Sequence, residues 1–536
     1  VDDLGMDPNG NRPIDTKLLN SMERGNELVT FPPGEYLVTE SSITGSVNNW
    51  GILGQGSDPT DVRFIHTFGY EINVIQTNGG SGQLVENVTM DYSRRKEGTI
   101  GVVLRGDDKI NVIDVHYVGF NPTTAEGDTT NLSVQAYDPD GEARAEGIVR
   151  TGPSTIASHA SQGGPSNSAF FWLGGKHRGT LRIRDWHIAN TGGNGIYASR
   201  TPGIVQIEDS RFVNNNQSSV RISGEGSYCR NCVFIIDTDN DHPDNVYAEG
   251  DYINPNAMMW ESGREGNQGA LVDDCDFMFR SRPNNNRTLQ AVRGLGSIGS
   301  FEVRNSRFLL DTPDTAAIYA QDPQDPSFGT TGSKPWDVTV DSVSVTGSAD
   351  ASNGAIELYN RPDSVITNSC LQLSGNQDGI VITDSQGCRI EDTNIDTGGQ
   401  ETVFSNSNVD TSNLTSGKSC PAPNLSVDQD GSEDSTTGDT GSGDGTDDGS
   451  SETHELTIHG PGRDGEVTQI EYRIAFEGEA TPITGRSENI TDGYLEGSVW
   501  LDYTDSFEID GQVTDVEMLT DGATLEYDGQ TVDSDY

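Results

Sequence analysis

One short pattern recurs along the sequence and most constrains its fold. Each copy has an apolar residue, one spacer, an Asp or Asn, two further residues and a second apolar residue. Three consecutive copies are Ile183-x-Asp185-x-x-Ile188, Ile207-x-Asp209-x-x-Phe212 and Cys229-x-Asn231-x-x-Phe234. The polar position returns after 24 and then 22 residues. A period of this length, with short alternating segments, predicts a parallel β-solenoid, because one coil cannot bury its apolar face alone.

The Asp/Asn position is expected where one strand of a coil bends into the next. Asn and Asp tolerate the left-handed backbone that such a bend needs, and their side chains can bond the backbone of neighbouring turns. In one coil Ser342 takes this position, and steps of 71 and 43 residues indicate insertions or coils whose pattern is not visible. An antiparallel sandwich would also alternate, but its turns would not return at this spacing with one polar type. The predicted ladder is Asn87, Asp114, Asp185, Asp209, Asn231, Asp274, Asn305, Asn368 and Asp392.

The pattern divides the chain into four parts, of which the first, 1–56, is expected to be the N-terminal cap and first coil. The solenoid is predicted for 57–423, and 120–168, which is rich in Gly, Ser, Pro and acidic residues, is interpreted as an insertion or long loop. Residues 424–454 form an acidic Gly/Ser/Asp stretch typical of a flexible, self-repelling linker. Residues 455–536 alternate apolar and polar positions between Gly/Asp turns, which predicts a small antiparallel β-sandwich.

Residues 1–56 carry a family resemblance. They contain Asp-x-Gly-x-x-Pro-x-Gly from residue 3, Asp15-Thr16, Phe31-Pro32-Pro33-Gly34-x-Tyr36 and Gly54-x-Gly56. This opening resembles that of the pectate-lyase-like superfamily, and the resemblance extends to about residue 420. It implies a right-handed parallel β-helix whose first coil is covered by a short helix. The sequence agrees, since Asp15 is a fair N-cap and an apolar stripe follows at Ile14, Leu18, Leu19 and Met22.

The resemblance does not select an activity, because this superfamily includes lyases, hydrolases, epimerases, viral tailspikes and non-catalytic adhesins. The paired-Asp, Gly-His-Gly and Arg-Ile-Lys signatures of polygalacturonases are missing, and so is the Arg-x-Pro-x-x-Arg of pectate lyases. Whether the chain is an enzyme is therefore left open. As an enzyme it would be a polysaccharide lyase or a glycoside hydrolase.

Net charge constrains the habitat and the partners. The formal charge is −51, with 33 Lys and Arg against 84 Asp and Glu spread along the whole chain. Such a charge is tolerated where salt screens it, so a high-salt habitat is expected, and the chain resembles secreted β-helix proteins of halophilic archaea. The acidity argues against nucleic acid, and no apolar run is long enough for a membrane span.

An extracellular or cell-surface location is expected. The chain begins at Val1, as a chain does after a leader is removed or after trimming. Asn-x-Ser/Thr sequons are compatible with a secreted glycoprotein. They lie at Asn87, Asn131, Asn216, Asn286, Asn413, Asn424 and Asn489.

A local excess of positive charge marks the candidate site. Between Lys176 and Arg230 there are eight Lys or Arg against four acidic residues, which favours an anionic ligand. The 24-residue step predicts that Tyr197 stacks over Arg221, Asn190 over Asn214 and Lys176 under Arg200. The catalytic candidates are Tyr197, His187, Arg200 and Arg221. The substrate-binding candidates are Lys176, His177, Asn190, Asn194, Asn214 and Trp172.

These residue types suit an acidic polysaccharide. In a β-elimination, Arg or Asn neutralises the uronate carboxylate and a Tyr, His, Lys or Arg removes the neighbouring proton. The predicted function is the binding of an acidic polysaccharide or cell-surface glycan, with its cleavage left open. The alternative is a non-catalytic surface protein such as an adhesin, filament subunit or tailspike-like rod, with self-association. The arginines would then pair with Asp or Glu of flanking coils.

One run of alternating carboxylates suggests a metal. Asp237, Asp239 and Asp241 resemble a calcium loop, since a hard cation takes several oxygen ligands. The Gly and distal Glu of an EF-hand are absent, so calcium is the only cofactor considered and is not required by the sequence.

Overall fold

The fold is described from a computed structural model. It describes residues 4–67, 70–94, 98–122, 130–156, 169–247, 255–261, 269–283, 289–325 and 331–424, together with the strands of the C-terminal unit given below. The chain forms two compact units, Val1–Ser432 and Glu433–Tyr536. Most of the predicted linker, 425–452, lies outside the described residues.

The first unit is a parallel β-helix whose coils contribute strands to three columns. Column 1 and column 2 are joined by two long strands, β6 (Ser81–Asp91) and β8 (Asp108–Val118). The other strands of column 1 are β1 (Glu27–Phe31), β3 (Trp50–Gly54), β10 (Glu142–Glu146), β14 (Thr180–Arg184), β17 (Ile204–Glu208), β20 (Tyr228–Arg230), β24 (Leu271–Asp273), β27 (Phe301–Arg304), β30 (Val338–Asp341), β33 (Val365–Thr367), β36 (Cys388–Glu391) and β39 (Val409–Ser412).

The remaining two columns complete each coil. Column 2 also contains β2 (Gly34–Leu37), β4 (Val62–Ile65), β11 (Val149–Arg150), β15 (His187–Ala189), β18 (Arg211–Val213), β21 (Val233–Asp237), β25 (Asp276–Ser281), β28 (Arg307–Leu310), β31 (Ser344–Gly347), β34 (Cys370–Leu373) and β37 (Asn394–Thr397). Column 3 contains β5 (Glu71–Gln76), β7 (Thr99–Gly106), β9 (Thr130–Ala136), β13 (Ala169–Trp172), β16 (Asn194–Tyr197), β19 (Ser218–Ile222), β23 (Asn256–Trp260), β26 (Leu289–Gly294), β29 (Thr315–Ala320), β32 (Gly354–Tyr359), β35 (Asp378–Thr383) and β38 (Thr402–Ser405). Strands of successive coils pair in parallel, which confirms the predicted right-handed parallel β-helix.

The predicted ladder residues occupy the bend between column 1 and column 2. All nine have positive φ, between 48° and 55°. Several side chains also bridge coils: the Asn231 amide donates to the Asp209 carboxylate at 2.7 Å, and the Asn305 amide donates to Asp273 at 2.9 Å. The polar residue thus adopts the left-handed backbone conformation of the bend, and its side chain can also bond a neighbouring coil.

The predicted insertion at 120–168 is wrong for its central part. Residues 130–150 form a regular coil made of β9, β10 and β11. Gly147 takes the bend position with φ 65°, and the inward residues of β10 are Ala143 and Ala145. The sequence pattern does not show this coil, because small residues occupy the positions of both the large apolar residues and the Asp or Asn.

A helix covers the first coil, as predicted. Helix α1 (Asp15–Arg24) buries Leu18 and Met22, with Ile14 buried just before it, whereas Leu19 is only partly buried. Asp15 is not the N-cap: Ile14 precedes the helix without a side-chain cap. The Asp15 carboxylate accepts hydrogen bonds from the backbone N–H and hydroxyl of Thr39, so it ties the helix to the chain that follows β2.

The interior is packed in rows of like residues. In column 2, Phe212, Phe234, Phe277 and Phe308 stack face to face on four successive strands, with ring centroids 5.2, 4.8 and 4.6 Å apart. Near the C-terminal end, a disulfide joins Cys370 to Cys420. Four further cysteines, Cys229, Cys232, Cys275 and Cys388, are buried free thiols.

The remaining short elements lie on excursions from the coils. Within the described residues, 3-10 turns span Pro59–Asp61 and Thr238–Asn240. A parallel pair is formed by β12 (Thr155–Ile156) and β22 (Val246–Tyr247).

The C-terminal unit is antiparallel, as predicted. Its described strands form one hydrogen-bonded sheet of seven strands, whereas the sequence predicted a sandwich of two sheets. The two long strands, β41 and β44, carry most of the pairing. The strands are β40 (Thr453–His459), β41 (Gln469–Thr484), β42 (Ile490–Thr491), β43 (Tyr494–Trp500), β44 (Thr504–Met518), β45 (Thr524–Tyr527) and β46 (Gln530–Val532).

Candidate functional site

The outward face of column 3 carries a row of side chains, all but one of them aromatic or basic, here named the outer row. Inward residues such as Ile196 and Val220 fill the core, and the residues that follow them face outward. Six successive strands place their outward residues in register. The outer row is Trp172, Tyr197, Arg221, Met259, Arg293 and Tyr319.

A cleft of about 700 Å³ lies over the first strands of this row. Four predicted site residues, Trp172, Lys176, Tyr197 and Arg200, line it together. Its other wall includes Arg105 on β7 and residues of β5. Parallel pairing of successive coils brings these side chains together, since Trp172 lies in register with Tyr197, 25 residues further along the chain.

Trp172 and the cations around it form the open part of the cleft. The Trp172 side chain is 36% exposed, and the Arg105 guanidinium carbon lies 5.8 Å from its ring centroid. The Lys176 ammonium lies 5.6 Å from the ring of Tyr137, on the turn that follows β9. An exposed indole beside a guanidinium, with an ammonium in the same cleft, offers a flat apolar surface and positive charge to one ligand.

Tyr197 forms the floor, held between two guanidiniums. The guanidinium carbons of Arg221 and Arg200 lie 4.6 and 5.3 Å from its ring centroid. Glu261 fixes this arrangement, since its carboxylate accepts hydrogen bonds from Arg221 Nε at 2.9 Å and from the Ser199 hydroxyl at 2.7 Å. Arg200 Nε lies 3.8 Å from the same carboxylate.

Sequence reasoning missed both Glu261 and Arg105. Glu261 lies 40 residues after Arg221, across an enlarged coil, so the 24-residue step does not reach it. Arg105 lies before the coil that the pattern failed to show. Counting the coil at 130–150 would have placed Arg105 on the same face.

The ionisation of Tyr197 bears on the chemistry of the cleft. Burial raises the pKa of Tyr197 above its usual value, and the nearby Arg221 only partly opposes this effect. The phenol therefore stays protonated at neutral pH and suits hydrogen-bond donation to a ligand rather than abstraction of a proton.

The two predicted histidines lie outside the cleft. His187 is on β15 in column 2, in register with Val149 and Arg211, and does not converge with Tyr197. His177 is fully buried: its Nδ1 accepts from the Ala136 backbone N–H at 3.1 Å, and its Nε2 lies 3.3 Å from the Ile204 carbonyl oxygen. Burial lowers the pKa of His177 to about 4, so it is a neutral structural residue at pH 7.

The three predicted asparagines are also internal. Asn190 and Asn214 occupy a second bend with φ of 56° and 49°, and their amides donate to the carbonyls of Thr151 and Asp237. Asn194 is buried and donates to the Gln217 side chain at 3.1 Å. These residues hold the coil connection between column 2 and column 3, and none is presented to a ligand.

The three aspartates considered for calcium do not converge. Asp237 accepts hydrogen bonds from Ser281 and Asn240, whereas Asp241 accepts from Asn245 and Tyr247. The Asp239 backbone N–H donates to the Ser281 hydroxyl. Within the described residues, no group of three or more His, Cys, Asp or Glu side chains is arranged to hold a metal ion.

Other arginines of the basic cluster form ion pairs on column 1. The outward position that precedes the bend alternates between acid and base on seven successive strands. The series is Glu146, Arg184, Glu208, Arg230, Asp273, Arg304 and Asp341. Arg230 and Arg304 lie 3.3 and 3.0 Å from Asp273. In this row the arginines pair with acidic residues of flanking coils. Binding of an anionic ligand by residues of the basic cluster is therefore considered only for the cleft.

Asp273 is expected to make stability depend on pH. The hydrogen bond from Arg304 is the largest effect that lowers the pKa of Asp273 below its usual 3.8, and Asn305 and Arg230 contribute further. A lowered folded-state pKa stabilises the fold above pH 3.8, and this contribution is lost as pH falls below it. Asp273→Asn should cost about 1 kcal/mol at pH 7, after allowance for solvent screening, and less near pH 3. Thermal unfolding at both pH values measures this, with exposed Asp410→Asn as the control; an equal cost at both pH values would contradict it.

Comparisons with known proteins concern the fold. The A-module of the Azotobacter vinelandii mannuronan C-5 epimerase AlgE6 is 13% identical over 78% of this chain and 99% of that chain, with a TM-score of 0.35. The catalytic unit of a GH87 α-1,3-glucanase from Streptomyces thermodiastaticus is 12% identical over 76% and 68%, with a TM-score of 0.38. The Streptococcus pneumoniae surface adhesin PfbA is 14% identical over 75% and 90%, with a TM-score of 0.32.

With TM-scores below 0.5 these similarities carry no argument, and the class, a right-handed parallel β-helix, is defined by the strand pairing described above. No protein-family model and no curated protein matches the chain. The described residues include no helix long and apolar enough to cross a membrane.

Proposed function

We propose that the cleft on column 3 binds an acidic polysaccharide or cell-surface glycan. The observation that carries this proposal is the meeting of Trp172 and Tyr197 with Arg105, Lys176 and Arg200 in one cavity. Aromatic rings offer apolar faces to the carbon skeleton of a sugar ring, and guanidinium groups bind carboxylates or sulfates. A concave site on a largely preformed framework is the usual form of a ligand site.

The charge distribution supports an anionic ligand. Arg105, Lys176 and Arg200 line the cleft with Glu71, and the Glu261 carboxylate lies 3.8 Å from Arg200 Nε, which leaves a local positive excess on a chain with a formal charge of −51. An isolated positive region on a negative body attracts anions, whereas the rest of the surface repels them. In concentrated salt the long-range attraction is screened, so short contacts in the cleft would provide the affinity.

The geometry supports binding better than eliminative cleavage. Elimination needs a base that takes the proton next to the carboxylate. Tyr197 remains protonated, because burial raises its pKa, and His177 and His187 are outside the cleft. Lys176 and Arg200 are the remaining predicted groups in the cleft, and both suit charge neutralisation.

We also propose an extracellular location in a salty medium. The disulfide between Cys370 and Cys420 supports an oxidising compartment, and the excess of acidic residues supports high salt. Glycosylation at Asn131 or Asn216 is not part of this proposal, because both side chains are buried.

Binding can be tested with cleft variants in molar salt. Trp172→Ala and Arg105→Ser should each weaken binding to alginate or polygalacturonate about tenfold, which is about 1.4 kcal/mol. Affinity electrophoresis or calorimetry measures the loss. Neutral dextran should not bind.

Matched controls are available on column 1. Tyr228→Ala and Arg144→Ser remove a Tyr and an Arg that line a smaller, mixed-charge hollow on that face. Equal losses in these controls, or equal retention on dextran, would remove the cleft as the binding site. An absorbance signal from unsaturated products would show that the cleft also performs elimination. Silence on all acidic and cell-surface glycans would favour the structural alternative.

A further inference from the structure

Arg293 lies on the outer row, where most of its side chain is covered. Among the described residues, no carboxylate lies within salt-bridge distance of its guanidinium. Its Nε is buried and makes no hydrogen bond. Its register partner is Tyr319 on the next strand, so the nearest outward neighbour on that side is a phenol rather than an acid.

Arg221, on the same face, is paired with a carboxylate of the chain itself. Arg221 is two strands before Arg293 in the same row and receives Glu261 at 2.7 Å. Glu261 follows Trp260, whereas the residue in the equivalent place after Gly294 is Leu295. Arg293 therefore lacks the carboxylate that its counterpart has.

The next carboxylate on this face is already engaged. Glu357 lies in register with Tyr319, one strand further on. It accepts hydrogen bonds from the Gly354 backbone N–H at 2.8 Å and from the Tyr359 hydroxyl at 2.9 Å. Glu357 thus serves its own strand and does not pair with Arg293.

Arg105 repeats the situation at the other end of the face. It lines the cleft, its register partner is Gln135, and its Nε is also buried without a hydrogen bond. No acidic partner of Arg105 is found in the described part of the chain. Six strand spacings separate β7 from β26, which is about 29 Å along the β-helix axis.

We propose that Arg293 is a second anion-binding site on the outer row and that the ligand is a polyanion long enough to contact Arg105 and Arg293 together. This proposal rests on the proposed function and specifies its substrate class as a polymer with repeated anionic groups. A buried guanidinium without a counterion favours an external anion strongly, because the anion restores the missing charge partner. Two such sites on one rigid face make the second contact intramolecular, so affinity rises with ligand length.

The test uses oligogalacturonides of increasing length and the full chain. Wild-type affinity should rise about a hundredfold once an oligomer spans both arginines. In Arg293→Met this rise should be absent. The loss of affinity relative to the wild type should therefore be larger for long oligomers than for short ones. Arg280→Met, an exposed arginine on β25 in column 2, should leave the length dependence intact.

A second readout keeps the test independent of folding defects. Replacing an uncompensated buried charge with an apolar side chain should leave the thermal midpoint unchanged or higher without glycan. Long oligomers should raise the midpoint of the wild type more than that of Arg293→Met. A lower midpoint of Arg293→Met in the absence of glycan would indicate an internal partner and overturn the proposal.

The two proposals fail in different ways. If all oligomers bind with equal affinity and the Trp172 and Arg105 variants still weaken them, the cleft binds glycan but Arg293 does not. If Arg293→Met loses affinity equally for short and long oligomers, the bridging ligand is also excluded. If no acidic oligomer binds the wild type, both proposals are overturned.

Discussion

Replacing Arg361 with Met is expected to lower the free energy of unfolding of the β-helix by about 3–5 kcal/mol. Arg361 is fully buried after β32, and its guanidinium donates to backbone carbonyls of two preceding coils. The acceptors are Leu295, Ile298, Gly299, Gln321 and Trp336. Methionine fills much of the volume but donates nothing, so these carbonyls would lose their partner in a place that water does not reach.

Denaturation followed by circular dichroism measures this effect. Arg389→Met is the matched control, since Arg389 is an exposed arginine on β36 in the same unit. Burial lowers the pKa of Arg361 to about 10, so the side chain is charged at neutral pH. A loss no larger than that of the control would show that the carbonyls are satisfied in another way.

Phe277→Ala is expected to cost about 3–5 kcal/mol of unfolding free energy. Phe277 is fully buried and stacks on Phe234 on one side and on Phe308 on the other, with interplanar angles of 4° in both pairs. The substitution removes two ring contacts and opens a cavity between coils that their own hydrogen bonds hold in place. The coils cannot collapse into the gap without breaking the column 2 pairing.

The control is Phe404→Ala, because Phe404 on β38 is 39% exposed and its loss should cost little. Phe277→Leu should fall between the two, since it keeps apolar volume but loses the stacked faces. Denaturant midpoints under constant salt compare the three variants. Equal midpoints for Phe277→Ala and Phe404→Ala would mean that the aromatic stack does not carry stability.

The repeat was readable from sequence because one backbone conformation demands one residue type. Asp185, Asp209 and Asn231 sit at a left-handed bend, where few side chains are tolerated. Where Gly147 meets the same demand without a side chain, the polar signal vanished and a coil was mistaken for an insertion. The N-terminal helix was predicted from its apolar stripe. The contact of Asp15 with Thr39 was not, because the two residues are far apart in the sequence and no local pattern connects them.

The site could be predicted only in part. The repeat length predicts which residues of successive coils lie one above the other, but not which column of the β-helix they belong to. Tyr197 and Arg221 were correctly placed one above the other, since their coils have equal length. His187 was assigned to the same site although it lies on column 2, because the step of 24 holds for every column. His177 looked like a ligand residue, but its backbone partners are 41 and 27 residues away along the chain.

The alternating charges of column 1 limit how this solenoid can change its length. Removing the coil that carries Arg184 would set Glu146 against Glu208, and removing the next would set Arg184 against Arg230. Like charges would then face each other across one strand spacing. Removing both coils together would restore the alternation, so along this row duplications and deletions of coils are electrostatically neutral only in pairs.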